Sequence, residues 1–525
     1  MAPTSDPPTG PRICILGGGF GGLYTAVKLE GLMWPRGLRP RITLVDQGER
    51  FVFKPLLYEL LSGTAGEDEV APPFAQLLAP YHIAFRRARV AGVELEHPTP
   101  AGSAGGGYVR LADGGELPYD WLVLALGAET ATLGVPGVRE LACPFATYDD
   151  AVALRARLAA LEEALPHPEL VVVGGGYAGV ELAAVLAERL AGRGRIKLVT
   201  SAPDILPGSP EGQREAARAA LADKGVAVMV GARVTELRRA AAHYASSGGT
   251  GTSTGSSSDD KGTATATTAA ELSKRLVYLR DREGQQEILE ADLVLWSAGQ
   301  EPVSSSSAAA QERGSEAAMA AGGGRPALPF PTAPSGATRT DGTLRVPGHE
   351  RVFALGDIAI GSSAGSAPGS EGGVLPATAQ VAFQQADYAA WNLWAAINGR
   401  PLLRFSYQHL GEMMSLGAAS GALAVPIPVP PQLSAAVQAG PLGPLLRLAG
   451  VKLSGSYAGA SDGVTLEGPL AAVLRRAAYL YRQPTDQQRL RVAASWARQA
   501  VEEGGRLAAA LLRQGPLGSS GSSGR

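Results

Sequence analysis

Arg12-Ile13-Cys14-Ile15-Leu16-Gly17-Gly18-Gly19-Phe20-Gly21-Gly22 is the stretch whose reading decides the fold. Its apolar start reads as a strand buried in a parallel sheet. A helical segment follows from Leu23 to about residue 32, and Arg41-Ile42-Thr43-Leu44-Val45-Asp46 reads as a second strand ending in an acid. Strand, glycine turn, helix and strand in that order make a βαβ unit. In such a unit Gly17 permits the tight turn, Gly19 lets the backbone approach a pyrophosphate, and Gly22 lets the helix pack close to the sheet. The helix N-terminus offers N–H groups to phosphates. Asp46 is placed to accept hydrogen bonds from a ribose.

The same punctuation returns further on. Glu169-Leu170-Val171-Val172-Val173 leads into Gly174-Gly175-Gly176-Tyr177-Ala178-Gly179, then a helical run through Leu190, then Arg195-Ile196-Lys197-Leu198-Val199-Thr200. This second strand ends at Thr200-Ser201 instead of an acid. A carboxylate there would repel a 2′-phosphate and hydroxyls do not, so this unit accepts NADH without excluding NADPH. Two dinucleotide sites in one chain point to two dinucleotides. A flavin beside a nicotinamide is the usual reason, because a flavin takes a hydride and passes electrons on singly or in pairs.

Outward from these units, composition limits the alternatives. A chain of 525 residues exceeds one ordinary core, so at least two domains are expected. Net charge is −2, without the basic excess of a nucleic-acid binder. The two cysteines, Cys14 and Cys143, form no CxxC pair, which argues against dithiol chemistry, and Cys14 reads as a small buried hydrophobe. The histidines are scattered singly, so no metal site is expected. No apolar run reaches roughly 18 residues, so no spanning helix and no proton-pumping path are expected. The N-terminus has neither a secretory core nor a long Arg/Ser-rich presequence.

Residues 243–270, 303–340 and 361–371 are dominated by Ser, Thr, Gly, Ala and, in part, Pro, and read as insertions that need not fold. The expected organisation is a tail (1–11) and the first part of an FAD-binding domain (12–165). An NAD(P)H-binding domain follows (166–302, with the 243–270 insertion), then a low-complexity insertion (303–340). The FAD-binding domain resumes (341–400), followed by a C-terminal region with amphipathic helices (401–515) and a tail (516–525). In that region helical runs near 469–482 and 485–512 carry Arg475, Arg476, Arg482, Arg489 and Arg491 among Leu, Ala, Val, Tyr and Trp. Two readings stand side by side: an amphipathic surface on anionic membrane, or helices docked on their own domain with a basic outer face.

Trp121-Leu122-Val123-Leu124-Ala125-Leu126-Gly127-Ala128 and Arg351-Val352-Phe353-Ala354-Leu355-Gly356-Asp357 resemble the strand–Gly and Gly–Asp segments of flavoproteins with two dinucleotide-binding domains. Phe53-Lys54-Pro55-Leu56-Leu57-Tyr58-Glu59 and Leu375-Pro376-Ala377-Thr378-Ala379-Gln380-Val381-Ala382 resemble, more narrowly, the type II NAD(P)H:quinone oxidoreductases. Glu467-Gly468-Pro469-Leu470 through Ser495-Trp496 looks like their plastid and cyanobacterial branch, the demethylphylloquinone reductases. The resemblance implies an α/β fold of two Rossmann-like domains, one inserted in the other, with a C-terminal membrane-associating region. It implies FAD and NADH or NADPH as cofactors, with electrons passing to a quinone. FAD would be held by Gly17, Gly19, Phe20, Gly22 and Asp46, by Lys54 and Pro55, by Ala125 and Gly127, by Gly356 and Asp357 (the latter on the ribityl chain), and by Thr378 and Ala379. NAD(P)H would lie on Gly174, Gly176, Gly179, Glu181, Thr200 and Gly299. Glu181 would sit near the nicotinamide–flavin junction and Gln380 near the flavin and quinone headgroup, with Phe383 and Gln384 bordering that pocket. Glu181 and Gln380 are the expected catalytic residues. The family's C-terminal helices attach it to a membrane, and dimers are common in it. The branch points to a chloroplast location, on thylakoid or plastoglobule surfaces, with the mitochondrion as the alternative.

Three rivals remain at this stage. A sulfide:quinone oxidoreductase-like enzyme needs cysteines between the two glycine motifs, where only Cys143 stands. A soluble reductase of ferredoxin or a small molecule would not need the amphipathic tail. A non-catalytic nucleotide-binding protein would carry the glycines and oxidise nothing.

Overall fold

In the computed structural model the described residues are 10–35, 38–95, 106–240, 273–304, 325–361, 375–417, 420–425, 450–454 and 463–513. The first expected βαβ unit forms as read, with Arg12–Leu16 parallel to Arg41–Asp46 and α1 (Phe20–Glu30) between them. The sheet runs Arg345–Val346, His349–Ala354, Trp121–Leu124, Arg12–Leu16, Arg41–Asp46, Ile83–Arg87. All its pairings are parallel except that of the outermost strand with His349–Ala354. Strand 349–354 therefore returns to the first sheet after the whole second unit has intervened.

Alternation along the central strand sorts its side chains between two layers. Ile13 and Ile15 face the helical side, while Cys14 and Leu16 face a three-stranded antiparallel meander, Val90–Leu95, Gly107–Leu111 and Glu116–Tyr119. Cys14 is buried there, and burial pushes its thiol up to about 12.

The second unit repeats the plan. Its sheet runs Ala227–Met229, Arg195–Val199, Glu169–Val173, Leu293–Trp296, Ala142–Pro144. Leu170 and Val172 face the helical side, and Val171 and Val173 face the meander of Arg233–Arg239, Arg275–Arg280 and Gln286–Ala291. The strand 142–144 pairs with 293–296, although it precedes the residue-166 boundary expected for this domain. The two units are linked by a short ribbon in which Ala128–Thr130 pairs with Gln300–Pro302.

The expectation for 303–340 needs correction. Residues 325–340 are packed: Ala327 exchanges backbone hydrogen bonds with Ala91 (2.9 Å) and Val93 (3.0 Å), and Phe330 is buried on the first meander. Thr338–Thr340 pairs with Ala359–Gly361. Phe330 and Leu328 on the first meander, with backbone pairing to residues 91–93 and 359–361, hold a segment whose composition reads as filler. Residues 243–270 and most of 361–371 lie outside the described residues.

The C-terminal region is a four-stranded antiparallel sheet, ordered Glu412–Ser415, Gly421–Val425, Gly463–Glu467, Val451–Ser454, and the helices Gly468–Tyr481 and Asp486–Arg513. Met414 and Tyr479 join the same core as Ile13 and Leu170, so this region closes over the helical faces of both units. No helix among the described residues is long and apolar enough to cross a membrane.

Candidate functional site

The glycine turns show the steric reasons for their sequence. Gly17 has φ +99°, and a Cβ there would lie 2.2 Å from the Ala125 carbonyl oxygen. A Cβ on Gly22 would lie 1.7 Å from the Gly17 carbonyl oxygen. Gly174 (φ +121°) and Gly179 repeat both constraints, the latter with a Cβ 1.8 Å from the Gly174 carbonyl oxygen. Gly19 and Gly176 differ: a Cβ on either meets nothing within 4 Å. They form the bare lip of each turn, and the helices that start there, α1 and Tyr177–Leu190, have no side-chain N-cap. Uncapped first-turn N–H groups behind an open glycine fit a pyrophosphate in each unit.

Asp46 closes the first turn. Its carboxylate accepts from the Gly18 N–H (2.6 Å) and the Gly48 N–H (2.7 Å). Burial pushes its pKa up against those two hydrogen bonds. Thr200 holds the matching place in the second unit and is buried against Gly175. Gly127 (φ +74°) and Gly299 (φ +78°) stand where the two linking strands leave their sheets.

Opposite α1, Gly356 (φ +73°) and Asp357 begin a short turn after strand 349–354. Burial raises the Asp357 carboxyl, with the Lys54 ammonium opposing the shift. Its carboxylate accepts no hydrogen bond from the described residues, which leaves it available to a polyol hydroxyl. Lys54 and Pro55 open a single turn, Lys54–Leu56, at the same mouth. Phe20 lies edge-on to Phe51 and Phe53 at 5.3 and 5.4 Å, so its ring belongs to the core and only its backbone faces the turn. Gln385, absent from the sequence reading, accepts from the Gly356 N–H at 2.7 Å and is itself buried. Only its place on the helix that starts at Ala379, five residues beyond Gln380, could have drawn attention to it.

That helix, Ala379–Ile397, is capped by Thr378, whose hydroxyl accepts from the Val381 N–H. Gln380 and Gln384, one turn apart, clamp the segment 407–411. The Gln380 side chain donates to the Gly411 carbonyl (2.9 Å) and accepts from Tyr407 Oη (2.7 Å) and the Leu410 N–H (3.0 Å). The Gln384 amide bridges both backbone groups of Gln408. Phe383 is buried beneath the Arg482 guanidinium, 4.1 Å from the ring centre.

Glu181 opens the second turn of the second unit's helix and is buried. Its carboxylate accepts from the Ser415 N–H at 2.8 Å. Burial pushes its pKa up to about 7, opposed by that hydrogen bond, by Arg475 and by Tyr58, and reinforced by Glu59. Arg475 is 1% exposed and its guanidinium donates to Glu59 at 3.0 Å; Arg476 reaches the other Glu59 oxygen at 3.3 Å. Burial and the Glu181 charge push the Tyr58 and Tyr479 hydroxyls up. Glu59 follows the Lys54 turn and Arg475 comes from the C-terminal region, so all three parts of the chain meet at this cluster.

This placement corrects the picture of a basic outer face for the first of the two helices. Arg475 and Arg476 pair with Glu59, Arg482 covers Phe383, and Arg489 pairs with Asp486 at 2.6 Å. The exposed side of the first helix is apolar instead, with Leu470, Val473, Leu474 and Tyr481, whereas the second exposes Leu490 and Val501 beside Arg491 and Arg498. Arg475, Arg476 and Arg482 turn inward because a buried acid and an aromatic face on the folded domains offer them partners, while Arg489 pairs within its own helix and Arg491 stays exposed.

Residues 11–386 match the pyridine nucleotide-disulphide oxidoreductase family. The alternative NAD(P)H-ubiquinone oxidoreductase C1, chloroplastic/mitochondrial, of Arabidopsis thaliana is 40% identical over 94% of this chain and 82% of its own. The demethylphylloquinone reductase NdbB of Synechocystis is 37% identical over 93% of this chain and 95% of its own. The chain belongs to the pyridine nucleotide-disulphide oxidoreductases, in the type II NAD(P)H:quinone oxidoreductase group. Among solved structures, NDH2 from Plasmodium falciparum, determined with NADH, superposes with a TM-score of 0.64 at 16% identity, over 93% of this chain and 98% of that one. That likeness is one of fold. Within this family the chain lacks a dithiol: Cys14 and Cys143 are free and stand in different sheets.

Proposed function

We propose that the protein is an FAD-dependent NAD(P)H:quinone oxidoreductase, working at a membrane surface without pumping protons. The observation that carries this reading is the pair of open glycine lips, Gly19 and Gly176, on two units whose helical faces share one core with the C-terminal region. FAD belongs on the first unit, with its pyrophosphate at α1 and its ribityl hydroxyls near Asp357. NAD(P)H belongs on the second, at Gly174, Gly176 and Gly179. The flavin supplies the chemistry when bound, accepting a hydride and releasing electrons to a second acceptor.

The chain's own contribution is positioning and proton handling. Gln385 fixes the Gly356 backbone, and Lys54 balances the charge of Asp357. Gln380 and Gln384 hold segment 407–411 against the helix that begins beside the flavin site, so Gln380 acts on the acceptor pocket through the Tyr407 hydroxyl and the Leu410–Gly411 backbone it orders. Glu181, poised near neutrality in a dry cluster, is the group suited to hold a proton beside the reacting centre.

The acceptor we favour is a quinone of the phylloquinone-precursor or plastoquinone type, reached from the membrane side. Leu470, Val473, Leu474 and Tyr481 recur at helical spacing, a stripe suited to lie in the membrane interface. We place the enzyme on a chloroplast membrane surface, thylakoid or plastoglobule, with the mitochondrion as alternative, and expect a homodimer.

The test is anaerobic. Purified flavin-loaded protein is mixed with NADH or NADPH and then with a short-chain naphthoquinone or plastoquinone analogue. Bleaching by the nucleotide followed by reoxidation by the quinone is expected. Bleaching without reoxidation would replace the quinone with another acceptor, and no bleaching would refute the enzymatic reading.

A further inference from the structure

The ends of the second strands differ between the two units in a way that bears on which nicotinamide nucleotide is used. Gly17 donates to the Val45 carbonyl and Gly174 to the Val199 carbonyl, each at 2.8 Å, so Asp46 and Thr200 occupy corresponding positions. This is the place where a nucleotide-binding unit meets the adenosine ribose. In the first unit it holds a carboxylate. In the second, Thr200 tucks under Gly175 and Ser201 turns outward.

Beyond Ser201 the chain doubles back. The Gly231 N–H donates to the Ala202 carbonyl (2.8 Å) and the Ala232 N–H to the Thr200 carbonyl (3.0 Å). That return brings Arg233 beside Ser201, and the hairpin at Arg280-Asp281-Arg282 closes the other side. Together with Thr235 these residues line a cavity of about 510 Å3. The three guanidiniums make no ion pair among the described residues. The acid in the lining is already engaged, since Asp281 Oδ1 accepts from the backbone N–H groups of Glu283 (2.9 Å) and Gln285 (2.8 Å).

Three unpaired arginines and two hydroxyl residues around a cavity at a ribose-binding strand end form a receptor for a dianion. Guanidinium forks match phosphate oxygens in pairs. We infer that this cavity takes the 2′-phosphate of the dinucleotide, so that NADPH is the preferred electron donor. The inference rests on the reading that the second unit binds the nicotinamide nucleotide.

The experiment uses the flavin-loaded full chain and two probes, 2′,5′-ADP and 5′-AMP, titrated by calorimetry. NADPH and NADH half-saturation of flavin bleaching is measured in parallel. The expected result is tighter binding of 2′,5′-ADP by at least about 10-fold, the worth of one charge-assisted hydrogen bond. That ratio should fall in Arg233→Ala, Arg280→Ala and Arg282→Ala, all on the surface where truncation leaves the core intact. In Ser201→Glu, which restores the repelling acid, the preference should reverse. Equal binding of the two probes, or a ratio that survives loss of all three arginines, would overturn the inference even if NADH bleaches the flavin. Failure of both probes to bind and of both nucleotides to bleach would instead remove the second unit as the donor site.

Discussion

Replacing Arg475 by Met tests whether the C-terminal region is locked to the two nucleotide-binding units through one buried ion pair. Arg475 and Glu59 have side chains 1% and 3% exposed and lie 3.0 Å apart. Removing one partner of such a pair strands the other charge in the core, at a cost of about 3–5 kcal/mol. Arg476 stays within 3.3 Å of Glu59 and is 30% exposed, so it offsets part of that loss. The expected destabilisation is therefore at the lower end, about 3 kcal/mol. Adding Glu59→Gln removes the stranded charge and should recover most of the loss, with a coupling between the two sites of about 1–3 kcal/mol. The assay is urea unfolding of the flavin-loaded single and double variants. Trp496, whose ring lies under the Arg476 guanidinium at 5.6 Å, serves as a fluorescent reporter of this junction. A single variant destabilised by less than about 1 kcal/mol, or additive effects of the two substitutions, would refute the reasoning.

Glu181 carries the main pH expectation. Its pKa in the folded protein is raised from the ordinary carboxylate value to about 7, so the fold binds a proton that the unfolded chain releases. Its contribution is fully present below the unfolded pKa and is lost as pH rises through about 7. The loss amounts to roughly 3 kcal/mol, and comparing Glu181→Gln with wild type in urea melts from pH 4.5 to 8 should show the variant without it. The groups that face this carboxylate are Tyr58, Glu59, Arg475 and the Ser415 N–H; because Arg475 favours its charged form, Arg475→Met should move the midpoint upward. Gly22→Ala forces a Cβ to within 1.7 Å of the Gly17 carbonyl, and the expected outcome is protein purified without flavin absorbance. Gln385→Leu leaves the Gly356 N–H without its acceptor, at about 1–3 kcal/mol, and should accelerate flavin loss on dialysis. Leu474→Glu with Leu490→Glu, both exposed, should reduce flotation with anionic lipid vesicles while leaving the melting temperature near wild type; unchanged flotation would move membrane contact to another surface.

Local sequence settled what depends on local physics. Glycines at fixed spacing after an apolar run can satisfy few conformations, so both βαβ units and the return of strand 349–354 were legible, as was the lack of a dithiol. Composition misjudged 325–340, because its anchors, Leu328, Phe330 and backbone pairing with two distant segments, are too few to stand out in a low-complexity stretch. The arginines of the C-terminal helices were visible but their direction was not. Whether a guanidinium faces solvent or core depends on what the rest of the chain places opposite it, and Arg475 finds Glu59 more than 400 positions away. The same holds for Gln380, whose amide is taken by segment 407–411, and for Glu181, whose pKa is set by burial under a region folded from distant sequence. Sequence determined which groups the protein carries and how each turn must bend. Tertiary structure alone decided which charges lose their water and which partners they meet, because desolvation and Coulomb energy depend on distances in space that spacing along the chain does not encode.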